Sequence, residues 1–102
     1  MATDGHLPRA ERTRLLDEAL GERILIIDGA MGTMIQCHEP TEEDFRGTRF
    51  ADNEIPLLGA NDLLCMTRPE MIRDIHEQYL DAGADFVETN TFSANRVSLR
   101  DY

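Results

Sequence analysis

The chain has 102 residues, a formal net charge of −10 and 41% apolar residues. That length allows one small domain, the apolar fraction excludes wholesale disorder, and an acidic balance without any basic run argues against nucleic acid or an anionic membrane as partner. The acidity reads as a solvated surface.

Two cysteines, Cys37 and Cys65, form neither a CxxC pair nor a disulfide framework, which fits a reducing compartment. No apolar run reaches membrane-spanning length, and residues 1–8 carry no secretory pattern. A cytoplasmic location is the expectation.

In chain order, residues 1–7 read as a frayed terminus and Pro8 suits the first turn of a helix. Residues 9–20 predict that helix, with Leu15, Leu16, Ala19 and Leu20 at helical spacing and Gly21 as its stop. Residues 23–28 predict a strand. Ile24, Leu25, Ile26 and Ile27 form an unbroken, mostly β-branched run, as in parallel strands buried on both faces. Ile24, Ile26 and Asp28 share one face. The run stops at Asp28, and Gly29, Ala30 and Gly32 are small enough for a ligand to reach the backbone. Ligand sites in α/β folds lie at the carboxyl ends of strands. Asp28-Gly29 reads equally as a plain turn.

Residues 30–36 predict a short helix or shaped loop with apolar contacts from Met31, Met34 and Ile35, broken by His38-Glu39-Pro40. Thr41 is the expected N-cap of another short helix, ended by Gly47. Residues 49–60 show no period and make the connection longer than a βα step needs, the mark of a functional loop, a lid or a decorated loop. Residues 61–66 are too short to assign. Thr67 and Glu70 have capping-box spacing around Pro69, and Met71, Ile72, Ile75, Tyr79 and Leu80 follow as a helical stripe. Ala82 is the expected helix end, with Gly83 as left-handed cap. His76 lies beside the stripe with no partner evident in the sequence.

Residues 84–90 predict a second strand, with Phe86, Glu88 and Asn90 on one face and Val87 and Thr89 on the other. Helix, glycine and strand in succession are the αβ step of a parallel fold. Glu88, Thr89 and Asn90 either wall a pocket or simply end the strand and cap the next helix, which residues 93–102 begin. The elements together predict a parallel α/β fold, with a leading helix over residues 1–20 and the fold proper over residues 21–102. Two parallel strands cannot close a barrel, and a TIM barrel needs about 250 residues, so the chain is expected either to be an N-terminal piece of a longer protein, the favoured reading, or to associate with other chains.

Several separated motifs carry a resemblance in order and spacing. They are Asp28-Gly29-Ala30-Met31-Gly32-Thr33-Met34-Ile35-Gln36, Asp44-Phe45-Arg46-Gly47 with Arg49-Phe50-Ala51-Asp52, Asn61-Asp62-Leu63-Leu64, Thr67-Arg68-Pro69-Glu70, Gly83-Ala84-Asp85, and Glu88-Thr89-Asn90-Thr91-Phe92. Over residues 20–102 the chain resembles the homocysteine-binding (homocysteine S-methyltransferase) module of the cobalamin-dependent methionine synthases. The resemblance implies a TIM barrel of which this chain holds about the first two βα units. It implies methyl transfer to the sulfur of homocysteine, giving methionine.

By the same resemblance, Asp28 receives the homocysteine ammonium and the backbone of Gly29, Ala30 and Met31 its carboxylate, with Glu88, Thr89 and Asn90 as further pocket wall. Zinc and methylcobalamin, the latter remade from methyltetrahydrofolate, are implied for a longer parent, with their ligands beyond Tyr102. Cys37 and Cys65 do not match the zinc cysteines, so no metal ligand and no catalytic residue are assigned in this chain. The implied partners are homocysteine, the rest of the barrel, and the folate and cobalamin modules. Two alternatives stay open. One is a cobalamin-independent homocysteine methyltransferase, against which the excursion over residues 41–60 speaks. The other is a truncated, inactive product that acts at most as an interaction module.

Overall fold

The computed structural model describes residues 6–102. The expectations for residues 1–5 lie outside it. Its core is organised on α5 (Pro69–Asp81), where the stripe of the sequence turns Ile72 and Ile75 inward. Pro69 occupies the first turn, as its fixed φ favours. The capping box expected from Thr67 and Glu70 does not form. A residue before proline is pushed out of the helical region, and Arg68 accordingly sits at φ −141°, ψ 60° and becomes the N-cap. Thr67 instead closes α4 (Leu64–Thr67), its hydroxyl donating to the Leu63 carbonyl. The other end of α5 follows the sequence. Gly83 has φ 112°, Gly83 N donates to Leu80 O, and Ala84 N reaches back to Tyr79 O, the double bond of a Schellman ending.

α2 (Gly32–Cys37) and α4 pack against α5, and α3 (Glu42–Arg46) packs against α4, which is entered by a single 3-10 turn, Asn61–Leu63. Ile35, Phe45, Leu57, Leu64, Ile72 and Ile75 form the buried cluster, with Met31, Met34, Phe50, Leu63, Met71 and Tyr79 packed on it. Leu80 remains exposed. Thr41 caps α3 as expected: its hydroxyl accepts from Asp44 N, and Asp44 returns a carboxylate oxygen to Thr41 N at 2.8 Å. Gly47 ends α3 at φ 56°, where a Cβ would stand 3.2 Å from Thr67 Cγ2.

The irregular stretch over residues 48–60 needs partners for its backbone groups, and an ion pair on α3 supplies them. Arg46 bonds Glu42 at 2.7 Å and donates to the carbonyls of Phe50, Ala51, Asn53 and Ile55. Glu42 accepts from Leu57 N and Leu58 N at 2.7 and 2.8 Å. The stretch is thereby folded onto the core, with Leu57 and Ala60 buried.

The two predicted strands meet in parallel, but the ladder is one bridge long, Ile27 with Phe86. Phe86 N donates to Ile26 O and Asp28 N to Phe86 O. Side chains take over at both ends. The Asp85 carboxylate accepts from Ile26 N at 2.9 Å and pairs with Arg23 at 2.7 and 3.0 Å, while the Asp28 carboxylate takes Glu88 N. Burial of the apolar run on both faces is not found: Ile24 is 89% exposed, and Ile26 and Ile27 are also in solvent. One parallel neighbour covers little side-chain area, and α1 (Arg9–Glu22) buries none of its own residues. That helix begins after Pro8 as expected, but it runs through Gly21 and ends at Arg23, which turns extended at φ −156°. The helix over the last ten residues is the single turn α6 (Arg96–Leu99), capped by Asn95. Among the described residues no helix is long and apolar enough to cross a membrane.

Two outcomes follow from the core and its ion pairs. Ile75→Ala, at a site with 0% exposure, is expected to lower the unfolding free energy by about 2–5 kcal/mol, against under about 1 kcal/mol for exposed Leu80→Ala. Denaturant midpoints measure both. Three carboxylates are held below their usual range: Glu42 chiefly by Leu57 N–H, Asp44 chiefly by Thr41 N–H, and Asp85 chiefly by the Arg23 guanidinium. A carboxylate whose folded pKa lies below its unfolded value stabilises the fold above the unfolded value, and that contribution is lost as pH falls through the folded one. Their combined contribution is expected to be constant above about pH 5 and to fall below about pH 4. Combining Glu42→Gln, Asp44→Asn and Asp85→Asn should lower stability at neutral pH and flatten the acid limb of a thermal-melting pH series.

Candidate functional site

The carboxyl ends of both extended segments open on one cavity of about 520 Å³. One wall runs from Asp28 to Thr33, a second from Gly59 to Asp62, and a third from Glu88 to Ser93, with Ser98, Leu99, Asp101 and Tyr102 closing the rim. All seven residues singled out in the sequence, Asp28, Gly29, Ala30, Met31, Glu88, Thr89 and Asn90, line it.

Asp28 is the buried one among its charged residues, 8% exposed. The two oxygens of its carboxylate differ. Oδ2 accepts from Glu88 N at 3.1 Å, and Oδ1 has no hydrogen-bond partner although it is buried. An unpaired buried acceptor costs about 1–3 kcal/mol, and such groups mark sites where a partner is expected from outside. The charged lining residues are Asp28, Asp62, Glu88 and Asp101, all acidic, with no arginine or histidine among them. The cavity therefore favours a cationic group, and an ammonium, with three donors, suits the free oxygen.

Gly29 follows Asp28 along the first wall. A Cβ there would stand 3.2 Å from Tyr79 Oη, so the ring on α5 lies directly against the turn. Ala30 and Met31 bring their backbone along the cavity into α2.

The roles of the third wall separate. Asn90 is buried, and its Nδ2 donates to Asn61 O at 2.8 Å, tying the second and third walls together. Thr89 shares a hydroxyl bond with Thr91 at 2.7 Å. Glu88 offers its backbone N–H to Asp28, while its carbonyl lies 2.9 Å from His76 Nε2. His76 thus has a partner that the sequence did not reveal.

Sequence reasoning did not pick out Gly59 and Ala60, nor Ser98 and Tyr102. No local pattern marks them. They reach the cavity because Glu42 and Arg46 fold the preceding stretch inward, and because Asn53 Nδ2 donates to the terminal-residue carbonyl of Tyr102 at 3.3 Å. Asn61 and Asp62 lay in a quoted motif without an assigned role; Asp62 Oδ1 accepts from Ser93 N at 3.4 Å.

Cys37 and Cys65 are free thiols, and neither lines the cavity. Cys65 Sγ lies 3.7 Å from the Asn90 carbonyl behind it. Among the described residues no three His, Cys, Asp or Glu side chains converge as metal ligands.

Residues 25–102 match the family model of homocysteine S-methyltransferase, and the match begins in the apolar run and takes in every wall of the cavity. These are methyltransferases acting on homocysteine. The chain belongs to the homocysteine S-methyltransferase family.

Proposed function

We propose that this chain builds the amino-acid end of a homocysteine site, within a barrel that methylates the homocysteine sulfur. The observation that carries this is Asp28, which lines a cavity whose charged lining is all acidic and whose Oδ1 is buried without a partner. Asp28 accepts from the substrate ammonium. The carboxylate lies against neutral N–H donors of residues 29–31, since the lining has no cationic side chain. The thiol points away from this end, toward groups that these residues do not include. Glu88 holds Asp28 through its backbone, and Asn90 braces the wall.

The wider assignment is to the cobalamin-dependent methionine synthases, on the motif spacing and the excursion over residues 41–60. The chain corresponds in this reading to about the first two βα units of a TIM barrel. The exposed Ile24, Ile26 and Ile27 support it, because parallel strands are ordinarily covered on both faces. Zinc and methylcobalamin are assigned to residues outside this chain.

The test is a heteronuclear NMR titration of the chain with L-homocysteine and with its des-amino analogue, γ-mercaptobutyrate. Asp28→Asn is expected to weaken homocysteine binding about tenfold, the scale of one charge-assisted hydrogen bond, and to leave the analogue unchanged. Equal affinities of wild type and Asp28→Asn for homocysteine would overturn the assignment of Asp28 to the ammonium.

A further inference from the structure

Helix α5 carries two polar side chains on the face toward the extended segments. His76 and Tyr79 are three residues apart, hence neighbours on the helix surface, and both are half-buried. Each reaches one of the two segments just past the parallel bridge. Tyr79 Oη donates to the Ala30 carbonyl at 2.7 Å. His76 Nε2 lies 2.9 Å from the Glu88 carbonyl, and because a carbonyl only accepts, Nε2 carries the proton and donates. Neither side chain lines the cavity.

We propose that His76 and Tyr79 are a two-point clip that positions the Asp28 carboxylate and so sets the selectivity of the cavity for an ammonium-bearing ligand. The inference rests on the ammonium reading of Asp28 given above.

The geometry runs through two short paths. On one side, the Glu88 peptide is held by its carbonyl to His76 while its N–H is bonded to Asp28 Oδ2. On the other, Tyr79 holds Ala30, two residues beyond Asp28, and its ring packs on Gly29 between them, 3.2 Å from where a Cβ would be. Asp28 is thereby fixed through its backbone from one side and through Oδ2 from the other. With Oδ2 tied and the backbone held, the direction of Oδ1 is determined. Oriented acceptors bind better than free ones because no reorganisation is needed when the ligand arrives. Both anchors stand on the best-packed helix of the chain, where Ile72 and Ile75 are buried in adjacent turns.

The experiment uses the 102-residue chain as wild type, Tyr79→Phe, His76→Ala and His76→Gln. Each is titrated with L-homocysteine and γ-mercaptobutyrate by NMR, and exchange of the Glu88 amide is followed. Tyr79→Phe and His76→Ala are expected to raise the Kd for homocysteine about fivefold each, one neutral hydrogen bond's worth, while the Kd for the analogue moves by less than about twofold. His76→Gln, which restores a donor at the Nε2 position, should recover most of the loss.

An equal loss for both ligands, no loss for homocysteine, or no rescue by glutamine would each overturn the clip in favour of simple packing. Should wild type bind the two ligands alike, the ammonium reading itself fails. The clip is then judged on the Glu88 amide alone: faster exchange in both hydrogen-bond deletions supports it, and unchanged exchange overturns it.

Discussion

The Asp28 carboxylate takes the Glu88 N–H that the next rung of a parallel ladder would have given to a carbonyl. Much of the site depends on that exchange. It ends the pairing of the two extended segments after one bridge, and it joins their carboxyl ends at the point where they open on the cavity. It also commits one carboxylate oxygen to the protein and leaves the other without a partner. A carboxyl group buried in this half-satisfied way is destabilising by itself. It persists because neighbouring structure over-determines its position, as local strain at functional sites generally requires.

That neighbouring structure lies to one side of the site. The buried cluster joins α2, α4 and α5 to α3 and to Leu57 of the irregular stretch. Burying one such side chain is worth about 1.5–3 kcal/mol, so six of them can offset a costly group at the rim. The cluster also fixes direction. α5 presents Tyr79 to the turn after Asp28, and the Arg46–Glu42 pair presents Gly59 and Ala60 to the opposite wall. The cavity is thus assembled by parts whose stability comes from elsewhere in the chain.

What was legible in the sequence follows the range of the interactions involved. Thr41, Pro69 and Gly83 act within four or five residues, and each was visible as a local pattern, although the return bond from Asp44 to Thr41 was not read from it. Asp28, Gly29 and Ala30, and Glu88, Thr89 and Asn90, were visible too, because small and polar residues directly after an apolar run signal the functional end of a strand; Met31 was named through the family resemblance alone. The Thr67–Glu70 box misled because Pro69 acts on its predecessor: forcing Arg68 out of the helical region shifts the cap by one residue. Gly21 misled because nothing after it demands a left-handed turn, so the helix continues to Glu22. The bond from His76 to Glu88 spans 12 residues and that from Tyr79 to Ala30 spans 49, and neither partner carbonyl has a side-chain signature. Interactions that end on backbone carbonyls are invisible to residue patterns.

The charged groups of the chain also show why Asp28 differs from its neighbours in kind. Glu42 uses one oxygen on Leu58 N and the other on Leu57 N and Arg46. Asp44 uses one on Arg68 and the other on Thr41. Asp85 uses both on Arg23 and one also on Ile26 N. Each of these carboxylates is saturated by the chain itself, next to an arginine, and each stays at least partly open to water. Their chemistry is spent on folding. Asp28 is more deeply buried, has no arginine on it, and keeps one oxygen unbonded. A carboxylate selected for stability would have gained from an arginine as the others do, and the ten arginines of the chain make such a partner easy to supply. An arginine placed there would also occupy the position that a ligand's ammonium needs. With no cation in the cavity lining, Asp28 keeps the unpaired oxygen on which the proposed ammonium reading rests.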